Sequence, residues 1–536
     1  MARRVLRRVT IHDRYQLEFK LGYPLTPGQE TRYKIDTYIF VPRSLGIDRD
    51  TYTEREFYRD IQNYVRMKTP RFRLRELLSA PHSPLNNCER ILHTQDPALL
   101  QLKKEELISS FKFLRAILKS AIRAHLARYV WHHGRKQFTP DLALPLAESV
   151  DELLETTQEL TRRYRALAPY VDVESMPTRL RQSYRLTDEA ISLVVEEGLL
   201  QAFLLVDRHL DRATHRQRGA ALKKRIEAHV QAELQHRQAM GYGPPLRRKG
   251  DNEEYLFRTS ILKKYTSSVL WLSTSVKREG TTLEHVLYAL AAGVSMVFAT
   301  VVAFYFQLRF GTFTFPVFVA LVVGYMFKDR IKEIGRSLSA RFLHNILYDR
   351  RTVIHTQDRR HELGYVREKV EYVSEKEVPA EVLASRDRGI LAELANDRQG
   401  ETIIRYTKAV VLHADALDAV HTNGLEITAI NDIMRYDIRP YLRKMDNPTQ
   451  RKWLLENGKL YRVRCHKTYH LNFVSVYRSV DEPDQPTIYQ RTQVVLDRKG
   501  ICRIVLGDEE LEQELEDEVW TDEEQPARPV ALPHQA

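Results

Sequence analysis

The chain has 536 residues, 43% hydrophobic and 29% charged, which is the balance of a folded globular protein and excludes extended disorder for most of it. Three cysteines, Cys88, Cys465 and Cys502, are too few and too scattered for a disulfide framework and fit a reducing compartment. The net charge of +12 hides an asymmetry: residues 507–525 hold eleven acids and no base, so residues 1–506 carry 82 basic against 60 acidic groups and suit an anionic surface.

Residues 1–8 are basic with no apolar run behind them, which predicts no secretory signal peptide. Residues 15–21 and 33–41 alternate with the period of two of half-buried strands, and 22–28, rich in Gly and Pro, reads as their connecting loop. Two strands are marginal alone, so residues 1–45 are expected as a β-hairpin that joins a sheet made by the C-terminal part. Helices are predicted to dominate 46–250 as a bundle. They cover 53–67, 97–132, 145–170 and 187–240, with breaks foreseen at Gly198 and Gly219. The apolar run 191–206 is interrupted by Glu196 and Glu197 and reads as a core helix. Residues 251–285 read as an amphipathic, membrane-proximal segment.

Two apolar stretches stand in the middle. Residues 286–306 contain no charge, and after Gln307, Leu308 and Arg309 a second stretch covers 310–327. A bilayer core of about 30 Å takes about 20 residues of helix. The expected fold class is therefore an α-helical membrane protein, with a two-helix transmembrane hairpin over 286–327 between a mainly helical N-terminal arm and an α+β C-terminal arm. Lys263, Lys264, Lys277 and Arg278 precede the stretches, Lys328, Arg330, Lys332 and Arg336 follow them, and the connection holds only Arg309. That bias predicts a two-pass protein with both termini cytoplasmic, best matched by a bacterial inner membrane. Gly293, Ser295, Ala299 and Ala303 on the first stretch, with Ala320 and Gly324 on the second, are small residues spaced for close helix packing. The absence of intramembrane charge disfavours an ion-coupled transporter.

Residues 328–347 read as an amphipathic helix. Residues 348–506 read as an α+β domain, with a strand at 403–412, a helix at 427–445, strand-rich sequence at 460–477 and a hairpin of 488–496 and 501–506. Residues 507–536 are expected to be an acidic disordered tail.

Candidate chemistry is sparse. His229, Glu233 and His236 share one helical face, a spacing able to hold zinc or iron, but no second Glu-x-x-His completes a di-iron set. Asp207, His209, Asp211 and His215 read as solvated surface, and Cys465, His466, His470 and Cys502 as strand residues. Aromatics and bases interleave at Tyr461, Arg462, Arg464, Lys467, Tyr469, Tyr477 and Arg478. That mix can hold single-stranded nucleic acid, but ordinary strand composition explains it and nucleic acid is not expected. No phosphate loop, dinucleotide fingerprint or nucleophile elbow occurs, so no catalytic residue, metal or cofactor is predicted. The expected function is a membrane-anchored, cytoplasm-facing scaffold or regulatory protein that meets anionic lipid of the inner leaflet and a protein partner or a second copy. The alternatives are an oligomeric pore or transport subunit and a membrane-associated enzyme.

Overall fold

Strands from both ends of the chain are interleaved in the computed structural model, which describes residues 6–506 except 26–27, 95–96, 128, 130–142, 175, 211–214, 312–313, 387–399, 417, 419–423 and 482–486. The acidic tail lies outside the described residues. The strands are β1 Leu6–Ile11, β2 Gln16–Pro24, β3 Thr31–Pro42, β4 Ile61–Met67, β5 Ser273–Arg278, β6 Arg350–His355 and β7 Glu362–Val373. After them come β8 Glu401–Leu412, β9 Ala429–Asp437, β10 Thr449–Glu456, β11 Lys459–His466, β12 Tyr469–Ser479, β13 Ile488–Asp497 and β14 Gly500–Leu506. An eight-stranded antiparallel sheet has the order β14-β13-β12-β3-β8-β7-β6-β5. A four-stranded sheet has the order β1-β2-β9-β4, and β10 pairs with β11 alone.

The first two expected strands do not pair with each other. β2 lies between β1 and β9, while β3 lies between β12 and β8, with Ile39 opposite both Phe473 and Ile404. The two sheets stack through aromatic side chains, Phe19 on Phe473 at 5.3 Å and Tyr23 on Tyr33 at 5.4 Å between ring centres. Both seams between the sheets are bridged by backbone. Leu272 N donates to Val65 O at 3.0 Å beside the β5 edge, and Ile501 N donates to Arg14 O at 2.8 Å at the β14 edge.

Helices cover one end of this sandwich. They are α1 Glu54–Arg59, α2 Glu76–Ser79, α3 Pro84–His93, α4 Pro97–Leu102, α5 Lys104–Ala127, α6 Ala143–Arg165, α7 Ala168–Val171, α8 Thr178–His209, α9 Arg216–Ala239 and α10 Glu253–Ser267. Gly198 does not break α8. It lets α8 cross α5, because a Cβ there would stand 2.6 Å from Ile122 Cγ2. Tyr164 stacks on Tyr184 at 5.0 Å, and the Tyr164 hydroxyl donates to Tyr184 O at 3.0 Å. Two expected helices are replaced in whole or part by strands. The one over 53–67 stops at α1, whose capping box joins Thr53 and Glu56, and Ile61–Met67 instead pairs with β9. The one over 427–445 is β9 through Asp437. As the inner strand between β2 and β4 it is buried on both faces, so its sequence shows no alternation.

The expected fold class is corrected here. The chain is 51% helix and 28% strand in three sheets, and it is not a two-helix transmembrane protein. Among the described residues one helix, α11 Thr281–Phe310, is long and apolar enough to cross a membrane, with a mean hydropathy of 2.2 over its most apolar window. The second stretch is divided by the fold. Phe310 closes α11, and α12 Phe315–Ile346 starts only after Thr314. Its apolar part, 315–327, gives about 20 Å of helix before Lys328, Asp329 and Arg330, short of the roughly 30 Å hydrocarbon core. The reading as a two-pass inner-membrane protein falls with that class. α11 leads the chain out of the body and α12, packed against it, leads back, so both arms form one body. α13 Ala380–Arg386 lies on β12 and β13.

Gly364 stands opposite Leu412 beside the β6–β7 irregularity, with φ of +152°, and a Cβ there would lie 2.1 Å from Val411 O. Gly364→Ala should therefore lower stability by about 2 kcal/mol or more, read as a shift of the urea midpoint at unchanged slope.

Candidate functional site

A buried row of charges lies between the sheets. Arg350, Glu368 and Lys408 occupy one cross-strand row over β6, β7 and β8. Glu368 is fully buried. It accepts hydrogen bonds from Arg350 Nε at 2.6 Å, from Asn63 Nδ2 at 2.8 Å on the opposite sheet, and from the Tyr406 hydroxyl. Lys408 Nζ reaches across to Asp432 Oδ2 on β9 at 2.6 Å, with both side chains only 3% exposed, and the Tyr23 hydroxyl completes Asp432 at 3.4 Å. Burial pushes the Glu368 carboxyl up. Lys408 and Arg350, with the hydrogen bonds from Arg350 and Tyr406, outweigh burial and hold it below its ordinary value. Beside the row is a cavity of about 20 Å³ lined by Thr37, Tyr406, Lys408, Met434, Ser475 and Tyr477 among others. That is room for about one water molecule. The arrangement can hold two sheets in register and seat a water; it offers no space to a metabolite.

His229, Glu233 and His236 belong to a different network. Arg165 lies across Glu233, with Nη1 at 3.0 Å and Nη2 at 2.6 Å, and its Nε donates to Asp188 at 3.2 Å. His236 Nε2 lies 2.7 Å from Asp188 Oδ2, and the Tyr242 hydroxyl donates to the same oxygen at 2.9 Å. His229 stands 4.0 Å from Glu233, and burial lowers its pKa. The guanidinium thus takes the place in which these groups would meet a cation. Among the described residues no group of three or more His, Cys, Asp or Glu is gathered as a metal site. Sequence reasoning missed Arg165 and Asp188 because they lie on other helices, far away in the chain, and Tyr242 because it follows the end of α9, outside the helical spacing that groups His229, Glu233 and His236. Asp207 pairs with Lys223 at 2.9 Å, His209 is buried, and Asp211 lies outside the described residues. Cys465 and Cys502 are exposed on different sheets.

A row of bases marks one face of α5, Lys112, Arg115, Lys119 and Arg123, and α10 packs against it with Lys263. Burial, then Arg123 and with it Arg115 and Lys263, lowers the Lys119 ammonium to about 7, against the pull of Glu197 at 3.7 Å. Burial, Arg115 and Arg435 lower Lys263 to about 8. Lys263 is therefore half-buried in the body, while Lys264 is exposed. Lys277 and Arg278 lie on the β5 edge, and Arg278 pairs with Glu284 at 3.5 Å. Lys328 sits over Tyr325 at 4.0 Å, Arg330 pairs with Glu333 at 3.2 Å, Arg336 sits over Tyr288 at 5.7 Å, and Lys332 is half-buried.

Between α11 and α12, Ser295, Ala320 and Gly324 are buried and Ala299 and Ala303 half-buried. Gly293 is exposed with nothing near it, whereas Gly335, which sequence reasoning did not single out, approaches Ala291. Away from this seam the helices expose Val294, Val297, Val301, Phe304 and Phe318. The other outward feature is the β10–β11 ribbon, exposed at every strand residue, with a turn at Asn457 and Gly458.

Set beside known proteins, the chain matches no family model, no curated protein and no solved structure.

Lys408→Met leaves Asp432 buried without its cation and should cost about 3–5 kcal/mol, while adding Asp432→Leu should recover most of that loss. Urea denaturation of the single and double variants measures both. Lys119 sets a pH dependence. The unfolded chain keeps this proton up to about 10.5 and the folded chain releases it near 7, so the unfolded state binds more protons in between. Stability should rise as pH goes from 7 toward 10, and Lys119→Met should flatten that rise in thermal melts.

Proposed function

We propose that the chain is a scaffold held at a lipid bilayer by one apolar helix, α11, with its sandwich and bundle as a platform for partners. The observation that carries this reading is the exposure of α11: only 6% of its most apolar window is buried by the protein. A core helix of the same composition would be covered, because each apolar side chain left in water forgoes about 1.5–3 kcal/mol. Bilayer lipid supplies the missing cover.

Charge supports the same reading. Arg278 lies just before α11 and Arg336 sits over Tyr288 near its body-side start, where anionic headgroups would meet them, while Lys328, Arg330 and Lys332 bound the apolar outer half of the pair. The interior supports a platform rather than a reaction vessel, since the charges of the inter-sheet row are paired and its cavity holds about one water.

The test is co-sedimentation of the full chain with vesicles containing phosphatidylserine, before and after an alkaline wash. The wild-type protein should stay with the vesicles through the wash. Val301→Arg, Phe304→Arg and Leu308→Arg together place three guanidinium groups on exposed positions of α11 beside the apolar part of α12, each costing up to about 2.5–3.5 kcal/mol in the bilayer interior. This variant should move to the supernatant with the circular dichroism of its body intact. A wild-type chain that remains soluble without vesicles would overturn the anchor.

A further inference from the structure

The β10–β11 ribbon is a two-stranded element with no third strand and no covering helix among the described residues, although a hairpin alone is marginal. Its register assigns its faces. Arg451 stands opposite Arg464, Trp453 opposite Arg462 and Leu455 opposite Leu460, so one face carries three guanidinium groups toward the sheet and an apolar tip. Trp453 is 66% exposed and Leu455 69%, and the Arg462 guanidinium lies 5.7 Å from the Trp453 ring centre. Lys452 and Lys459 add two bases on the other face, and Glu456 is the only acid on the two strands. A surface both this basic and this apolar asks for a partner that is acidic with apolar side chains in between.

The chain holds such a segment. Residues 507–525 have eleven acids and no base, and Leu511, Leu515, Val519 and Trp520 are set among them. We propose that this acidic segment docks in cis on the Arg451–Arg462–Arg464 face of the ribbon and is its occupant. Reach is sufficient. The ribbon leaves the large sheet at Tyr469, which stands opposite Leu496 on β13, and Leu496 stands opposite Ile501 on β14. The tail begins after Leu506, five residues farther along β14, about 17 Å up the strand and about 10 Å across the sheet. Nineteen residues span up to about 65 Å when extended, enough to return and follow a ribbon of about 27 Å. Tethering holds the acids at an effective concentration in the millimolar range, so weak exposed charge pairs suffice.

The experiment is zero-length carbodiimide coupling of the full chain, which joins carboxylates to amines in contact, followed by peptide mass spectrometry on a mixture of isotopically light and heavy protein. Expected, in an Arg462→Lys chain that keeps the charge and puts an amine on the docking face, are couplings from 507–525 to position 462 within single chains. They should fall about ten-fold or more at about 1 M salt, where screening acts within about 3 Å, and likewise in the variant that adds Arg451→Ala and Arg464→Ala. Those two changes fall on exposed ribbon positions and leave the coupling amine in place. Couplings spread evenly over the many other lysines, or an unchanged yield in the variant, would overturn the proposal. Light–heavy couplings alone would overturn the cis assignment and name a second copy as the occupant.

Discussion

The cross-sheet charge row is the constraint on which the rest of the architecture depends. Glu368 takes hydrogen bonds from its own sheet and from Asn63 on the other, and Lys408 crosses the interior to Asp432. Buried ions of this kind are tolerated only when geometry is complete. A one-residue slip of β8 or β9 would turn Lys408 or Asp432 to the opposite face and leave the other charge alone. The row therefore specifies one register for strands that come from both ends of the chain.

That register is what makes two arms one body. β3 reaches between β8 and β12, and β9 returns between β2 and β4. The seams at Val65–Leu272 and Arg14–Ile501 bridge the sheets on either side. With the strands satisfied there, two elements remain outside: the helix pair of α11 and α12, and the basic ribbon. One is apolar with bases at its root, and the other is basic with an apolar tip. Both face outward from a body whose inter-sheet charges are paired, which is the physical basis for reading the chain as a platform.

The helical parts were the more legible in the sequence. The stripe from Leu107 to Leu126 and the hairpin of β13 and β14 stand where periodicity and turn chemistry put them. Gly198 was misread because a glycine can mark either a helix end or a helix crossing, and only Ile122 from α5 decides between them. β9 was misread because full burial erases alternation. The second apolar stretch was misread because hydropathy ignores chain direction: 310–327 is one run by composition, but Gly311 and Thr314 divide it into the end of one helix and the short apolar start of the next. Arg165 could not be found beside His229 and Glu233, since a guanidinium from another helix leaves no signal in local spacing.

By itself the sequence determined that there is an apolar helix around 286–306, a helical bundle before it, strands after it and an acidic tail at the end, because each is a local property of composition or period. Only the tertiary structure decided that the two arms share their sheets, that Lys408 meets Asp432 and Arg350 meets Glu368, and that β10 and β11 stand alone. Those outcomes rest on contacts between residues tens to hundreds of positions apart, where the free energy of pairing depends on burial and register that no local window contains.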